Sequence, residues 1–340
     1  MAWKNVSKVA GTVAILASLA GGGQALASCD DGERVIRFSH VVSDKGHPKG
    51  RTAAELATRI DDAFDGRFCM QVFPNATLMN DDDAMLEALG SGELEMAAPS
   101  MAKLGGVSPR FQVFDLPFMF ADLEAVTAFQ YSPAGVQLLD ETKPAGITAL
   151  TYWHNGLTQL SATRPILTPA DPAGLKFRIS GSKVSAAYFA ALGAETEKLA
   201  FSAVYDALAS GEIEGQENTW SNINTKRFYE HQDSVTETNH RALIYAVIVS
   251  TRFLESLTDA DRETFERIVA EVTHEYNRFA FEIGQLNKIK LMEKGVRVHH
   301  LDEEERRAWI DAMKPVWEEF SAAIGPELIA AAAGRGGSGF

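Results

Sequence analysis

Positive charge is scarce in this chain. Its 32 Lys and Arg against 46 Asp and Glu give a formal net charge of −14. Such a surface repels nucleic acid and anionic membranes, which excludes both as partners. Any anionic ligand has to be held by a local positive site, against the overall field. Cysteine is scarcer still, with only Cys29 and Cys69. After the leader, no stretch reaches about 18 uncharged apolar residues, so no segment reads as a transmembrane helix. Enzyme signatures are missing too: there is no G-x-S-x-G, P-loop, post-strand G-x-G-x-x-G or H-E-x-x-H. The histidines show no metal spacing, and His299-His300 reads as a solvated pair. Asp81-Asp82-Asp83 lacks the alternating ligands and glycine of a calcium loop. It reads instead as the acidic start of a helix, Ala84–Leu89, where the dipole favours carboxylates. No metal, cofactor or catalytic dyad is expected.

The first residues have the form of an export signal. Met1–Lys8 carries Lys4 and Lys8, Val9–Ala20 is apolar, and Ala25-Leu26-Ala27 fits cleavage before Ser28. Removing 1–27 makes the chain two charges more negative and places it in the periplasm. Leu26-Ala27-Ser28-Cys29 also has the form of a lipoprotein site, which leaves two readings of Cys29. Either it pairs with Cys69, closing a loop worth at most ~4 kcal/mol, or it carries a lipid. The remaining ~310 residues suffice for two lobes with separate cores.

Short strand-like runs alternate with helical patterns, the signature of α/β architecture. Val35–His40, Cys69–Phe73, Ile147–Trp153, Leu175–Ser180 and Leu243–Ser250 read as strands, with a helix from Pro48-Lys49. Only 335–340 has the composition of a disordered tail. An internal echo supports two related lobes: Ala88–Glu95 matches Ala207–Glu214 at most positions, each a helix end, a Gly turn and a strand. The strands then deliver Ala98-Pro99-Ser100 and Glu217-Asn218-Thr219. Towards the C-terminus, Thr258 with Asp261 resembles a capping pair. Phe265, Ile268, Val269, Val272, Tyr276, Phe279 and Ile283 recur at helical spacing, extending to Lys294. Unbroken, that helix is about 50 Å long and would brace both lobes. Another helix starts at Asp302–Glu305, with Pro315 a kink or restart.

The best anion site lies on Leu175–Ser182. Alternation puts Leu175, Phe177 and Ile179 on one face and Lys176, Arg178 and Ser180 on the other. Gly181 turns the chain and Ser182 caps a helix, Lys183–Leu192. An arginine beside a helix N-terminus combines two anion-binding devices. Its fork meets a carboxylate with two parallel bonds.

Gly174-Leu175-Lys176-Phe177-Arg178-Ile179, Phe201–Tyr205, Gly215-Gln216-Glu217-Asn218 and Lys226–Glu230 resemble the substrate-binding subunits of tripartite ATP-independent periplasmic (TRAP) transporters. His40-Val41-Val42, Phe73-Pro74-Asn75, Ala97–Ser100, Phe114–Phe118 and Tyr152–Gly156 extend the resemblance over nearly the whole mature chain. The branch it most resembles is the one for four-carbon dicarboxylates, some of whose members carry a similar cysteine pair. The resemblance implies a two-lobed periplasmic binding protein fold (type II-like), with a hinge and a long bridging C-terminal helix. On that reading, 28–155 with about 244–283 forms one lobe and 156–243 with about 284–334 the other. It also implies a small organic acid ligand, delivered by a monomer to a small and a large membrane permease subunit. The carboxylate clamp falls on Arg178, the cleft aromatic on Phe201 and the amide on Asn218.

One position departs from the family: two residues after Asn155-Gly156, where many members carry a basic side chain, this chain has Thr158. A neutral hydroxyl there favours a hydroxy acid or sugar acid over a second carboxylate, unless Lys45 or Lys103 supplies the charge. Trp153, His154, Asn155, Trp220, His40, His47, Ser100 and Ser180 complete the candidate cleft residues. A ligand-sensing receptor would use the same site with a different partner. An enzyme would need a nucleophile beside a base, and the sequence offers none in a recognisable setting.

Overall fold

The computed structural model describes residues 29–334; the leader and the C-terminal tail read from the sequence lie outside them. The strands are β1 (Arg34–Ser39), β2 (Phe68–Phe73), β3 (Met96–Ala97), β4 (Ile147–Leu157), β5 (Gln159–Ala162) and β6 (Lys176–Ile179). They continue as β7 (Glu195–Lys198), β8 (Gly215–Asn218), β9 (Ser234–Glu237), β10 (Ala242–Ser250) and β11 (Arg297–His300). One sheet has the order β2-β1-β3-β10-β4 and the other β11-β9-β5-β8-β6-β7, giving a two-lobed α/β fold.

Among the described residues the chain passes between the sheets three times. β4 hands over to β5 across Thr158, β9 returns to β10 across 238–241, and the long helix Asp259–Glu293 leads to β11. The first two crossings are tied together, because the Thr158 N–H donates to the Arg241 carbonyl at 2.8 Å. The strand expected to end at Trp153 therefore runs on to Leu157, paired antiparallel with β10 except for bulges at Leu150 and Asn155.

The first sheet packs against helix Pro48–Phe64 and the long helix, burying Phe38, Ile60, Phe64, Trp153, Phe265 and Val272. Each such side chain contributes about 1.5–3 kcal/mol on burial. The long helix is 35 residues without a break, or about 50 Å. Thr258 caps it by accepting the Asp261 N–H at 3.1 Å. Its stripe differs from expectation at one place: Phe279 is 40% exposed, and the neighbouring Ala280 faces inward instead. Asn287 joins the two sides, donating to the Gly46 carbonyl at 3.0 Å and accepting from Asn224 at 2.7 Å. Asp302 and Glu305 form a reciprocal cap, and Pro315 opens the next helix, Pro315–Ile324. A missing N–H costs nothing at a first helical turn.

The internal echo is structural. Helix Asp82–Ser91 ends at Gly92 (φ 83°) and helix Val204–Ser210 at Gly211 (φ 75°), both left-handed. Ala88 and Ala207 accept equivalent backbone bonds from Glu93 and Glu212, at 2.8 and 3.0 Å. Cys29 and Cys69 are joined, with Cα atoms 5.6 Å apart, which clips the segment before β1 to β2. A sulfur in that bond cannot also carry a lipid thioether.

Candidate functional site

Strand ends from both sheets converge on a cleft lined in part by Val41, Ser100, Lys103, Arg178, Ser180 and Phe201, and by Glu217, Asn218, Asn222, Arg241 and Tyr245. β6 presents Arg178 because its alternate residues are committed to the core: Phe177 stacks on Phe189 at 4.6 Å. The Arg178 side chain is only 5% exposed. Nε and Nη2 both donate to the Leu199 carbonyl, at 3.1 and 2.8 Å, and the guanidinium lies 5.8 Å from the Phe201 ring centre. Among the described residues no carboxylate is in ion-pair contact with it. Burial pushes its pKa down to about 10, with Glu217 opposing and Arg241 adding to the fall. Gly181 turns the chain at φ 125°, and Ser182 caps helix Lys183–Ala191. The Ser180 hydroxyl is buried without a partner.

β8 supplies Glu217 and Asn218. Asn218 accepts from Asn222 at 2.6 Å and donates to Gln216. Glu217 is the centre of a buried network: Arg241 Nη2 lies at 2.9 Å, His240 Nε2 at 2.7 Å, and Tyr188 donates its hydroxyl. Arg241 Nη1 also reaches Asp115 at 3.1 Å. Burial raises the Glu217 pKa, but Arg241 and His240 outweigh it and hold the carboxyl well below its ordinary value. Breaking such a buried pair costs about 3–5 kcal/mol, because one charge is left without its partner.

The other wall is also charged. Lys103 is held by Asp81 and Asp83, each at 3.0 Å, so its charge is already matched. Asp82 is buried and accepts the Ser100 N–H at 3.2 Å; burial raises its pKa against the pull of Lys49. The acidic triplet thus does more than open a helix, and Asp81 makes no side-chain capping bond. Lys49 donates to the Ala98 carbonyl at 2.8 Å and sits 3.7 Å above the Tyr245 ring. Burial pushes its pKa down to about 8. Contacts span the cleft mouth: Lys198 to Asp83 at 2.8 Å, Ser202 to the Asn80 carbonyl at 2.9 Å, and Lys226 to Asn75 at 3.2 Å.

Of the residues proposed from sequence, Arg178, Ser180, Phe201, Asn218, Ser100 and Lys103 meet at this cleft. The others do not line it. Trp153 is core, its Nε1–H donating to Thr273, and His154 faces Gln130 at 2.6 Å. Asn155 stands one step behind, donating to the Tyr245 hydroxyl at 2.9 Å. His47 caps helix Pro48–Phe64 and contacts Asn222 at 2.8 Å. His40 is fully buried with neither ring nitrogen partnered. Lys45 is exposed, and Trp220 packs near Lys288 and lines a separate cavity with Asn155. Thr158 is committed to His240 and the Arg241 carbonyl, both at 3.3 Å. His299 and His300 contact Glu305 and Glu237 rather than standing free.

Sequence reasoning missed Arg241, Glu217, Asn222, Tyr245 and Lys49. Glu217 and Asn222 flank Asn218, and Arg241 opens the apolar run of β10, so nearness to those segments was the available signal. Nothing in the spacing marks Lys49, a helix-start lysine, as buried.

Residues 38–323 match the family described as bacterial extracellular solute-binding protein, family 7. The chain is 46% identical to the C4-dicarboxylate-binding periplasmic protein DctP of Vibrio cholerae, over 91% of this chain and 92% of that one. A TRAP periplasmic solute-binding protein from Shewanella oneidensis, solved with bound succinate, superposes with a TM-score of 0.86 at 38% identity, covering 89% of this chain and 99% of that one. The sugar acid binding protein of Advenella mimigardefordensis, solved with galactonate, gives 0.85 at 28% identity, covering 90% and 99%. Among the described residues no helix is long and apolar enough to cross a membrane.

Proposed function

The chain belongs to the bacterial extracellular solute-binding protein family 7, and we propose that it serves a TRAP transporter as its organic-acid-binding subunit, with a four-carbon dicarboxylate clamped by Arg178 as its ligand. The observation that carries this reading is the Arg178 guanidinium: desolvated in the cleft, bonded to a carbonyl, and without a carboxylate partner. A ligand carboxylate supplies the missing counter-charge through a two-bond fork. Asn218 and the unpartnered Ser180 hydroxyl stand beside it as further donors. The identities favour the dicarboxylate: the relatives named for it or holding succinate are closer in sequence than the galactonate binder. This reverses the preference for sugar acids drawn from Thr158, whose hydroxyl is occupied within the protein.

Under this reading 1–27 is the export signal, and the closed cleft hands its ligand to a small and a large permease subunit. A receptor role is supported by the division of the buried charges: Glu217, His240, Asp115 and Arg241 hold one another, and Arg178 is left for a ligand carboxylate. Competition calorimetry tests the ligand class. Succinate and malate are expected to bind at micromolar strength or better, and galactonate far more weakly. Tight galactonate binding with no displacement by succinate would overturn the dicarboxylate reading.

A further inference from the structure

Arg241 closes the 238–241 crossing, immediately before β10, and faces the same cleft as Arg178. Two of its three nitrogens have partners inside the protein: Nη1 meets Asp115 at 3.1 Å and Nη2 meets Glu217 at 2.9 Å. The third, Nε–H, is buried and has no partner, although the residue is only 4% exposed. A buried donor left unpaired is costly, so native interiors rarely keep one without a use. Here the two carboxylates fix the guanidinium plane, and Nε–H cannot turn away to find another acceptor. We propose that Arg241 is a second ligand-contacting residue, whose Nε–H donates to an oxygen of the bound carboxylate.

This assignment rests on the carboxylate-binding reading above and deepens it. Asp115 and Glu217 already balance the Arg241 charge, and Glu217 in turn is held by His240. Arg241 therefore acts as a directional donor that demands an oxygen at one place, whereas Arg178 supplies unmatched charge. The two arginines divide the work into charge recognition and shape recognition. The position has a mechanical consequence too. The Arg241 carbonyl receives both the Thr158 N–H at 2.8 Å and its hydroxyl at 3.3 Å. An oxygen held at Nε–H thus engages both inter-sheet strand crossings at once, which links ligand position to the hinge.

The test uses two variants of the full exported chain, titrated with succinate and with galactonate. Arg241→Lys keeps a cation for Glu217 and loses the Nε–H. The double variant R241Q/D115N removes one charge of each sign, so the buried site keeps its net charge. Both are expected to bind the acid recognised by the wild type about 10–100-fold more weakly, the range for a buried donor lost to a charged acceptor. A loss below about threefold in both would overturn the assignment. Wild-type protein labelled with 15N-arginine gives a readout that needs no variant to fold. Its Arg241 Nε–H resonance should move downfield and exchange more slowly at ligand saturation; a resonance that stays put refutes the contact. Galactonate binding without succinate binding would sink the four-carbon reading alone, and galactonate then serves as the probe for Arg241.

Discussion

Arg178→Met should make the ligand-free protein more stable while removing its function. The structure sets the size of the effect. The fall of the Arg178 pKa from its ordinary value to about 10 means that burying the charge costs folding about 3 kcal/mol at neutral pH. The sign follows from linkage: a base whose folded pKa lies below its unfolded value is penalised wherever both states are charged, and the penalty lifts only above pH 10. Methionine removes that cost but also the two bonds to the Leu199 carbonyl, worth about 1.5 kcal/mol together. A net gain of about 1–2 kcal/mol corresponds to a midpoint about 2–4 °C higher. The same substitution takes the clamp from a buried ligand carboxylate, a loss of about 2–5 kcal/mol in binding, or at least roughly 30-fold. Scanning calorimetry without ligand and titration calorimetry with succinate measure the two halves separately. A midpoint that drops by several degrees with binding intact would show that Arg178 merely staples the Leu199 loop, and the reasoning would fall.

Three other outcomes are expected. Succinate should lower the radius of gyration seen by small-angle scattering, because Lys198–Asp83 and Ser202–Asn80 bridge the mouth only when the lobes meet; identical curves at confirmed saturation would refute hinge closure. Mass spectrometry of exported protein should find no free thiol and no lipid on Cys29, and reduction should cost up to ~4 kcal/mol of stability. His154 is held neutral by burial, its pKa pushed down to about 4, so its contribution is complete above pH 6.5 and about 3 kcal/mol is lost as pH falls towards 4. His154→Gln should flatten the stability profile across that window, and an unchanged slope would refute the assignment.

Most of the fold was legible because each element announces itself locally. The alternation on Leu175–Ser180 set Phe177 and Arg178 on opposite faces before any contact was known, and Ser182, Thr258 and Asp302 marked three helix starts. The echo between Ala88–Glu95 and Ala207–Glu214 was readable because a left-handed helix end needs a glycine, and both copies keep one. What periodicity could not fix was extent. β4 outruns its expected end because His154, Gly156 and Leu157 are paired by β10, a partner some ninety positions away. Phe279 fell on the expected stripe, yet a helix bridging two lobes meets different neighbours along its length, and the buried arc drifts to Ala280.

The site was legible as far as one strand could carry it. Arg178 and Asn218 were assigned through the family resemblance, and both fall at strand ends that line the cleft. Arg241 was not assigned, because its burial depends on Asp115 and Glu217, more than a hundred and more than twenty positions away. Counting one neutral hydroxyl at Thr158 as a missing charge treated the cleft as a list of positions, each answering for itself. In the folded protein the Thr158 hydroxyl donates to the backbone carbonyl of Arg241, so the place where the sequence shows a deficit adjoins a residue whose side chain brings a cation to the cleft. Lys103 makes the converse point: a lysine in the cleft wall offers little net charge to a ligand once Asp81 and Asp83 hold it. Charge at a buried site is a property of the assembled network, and a residue's type settles it only when its partners are known.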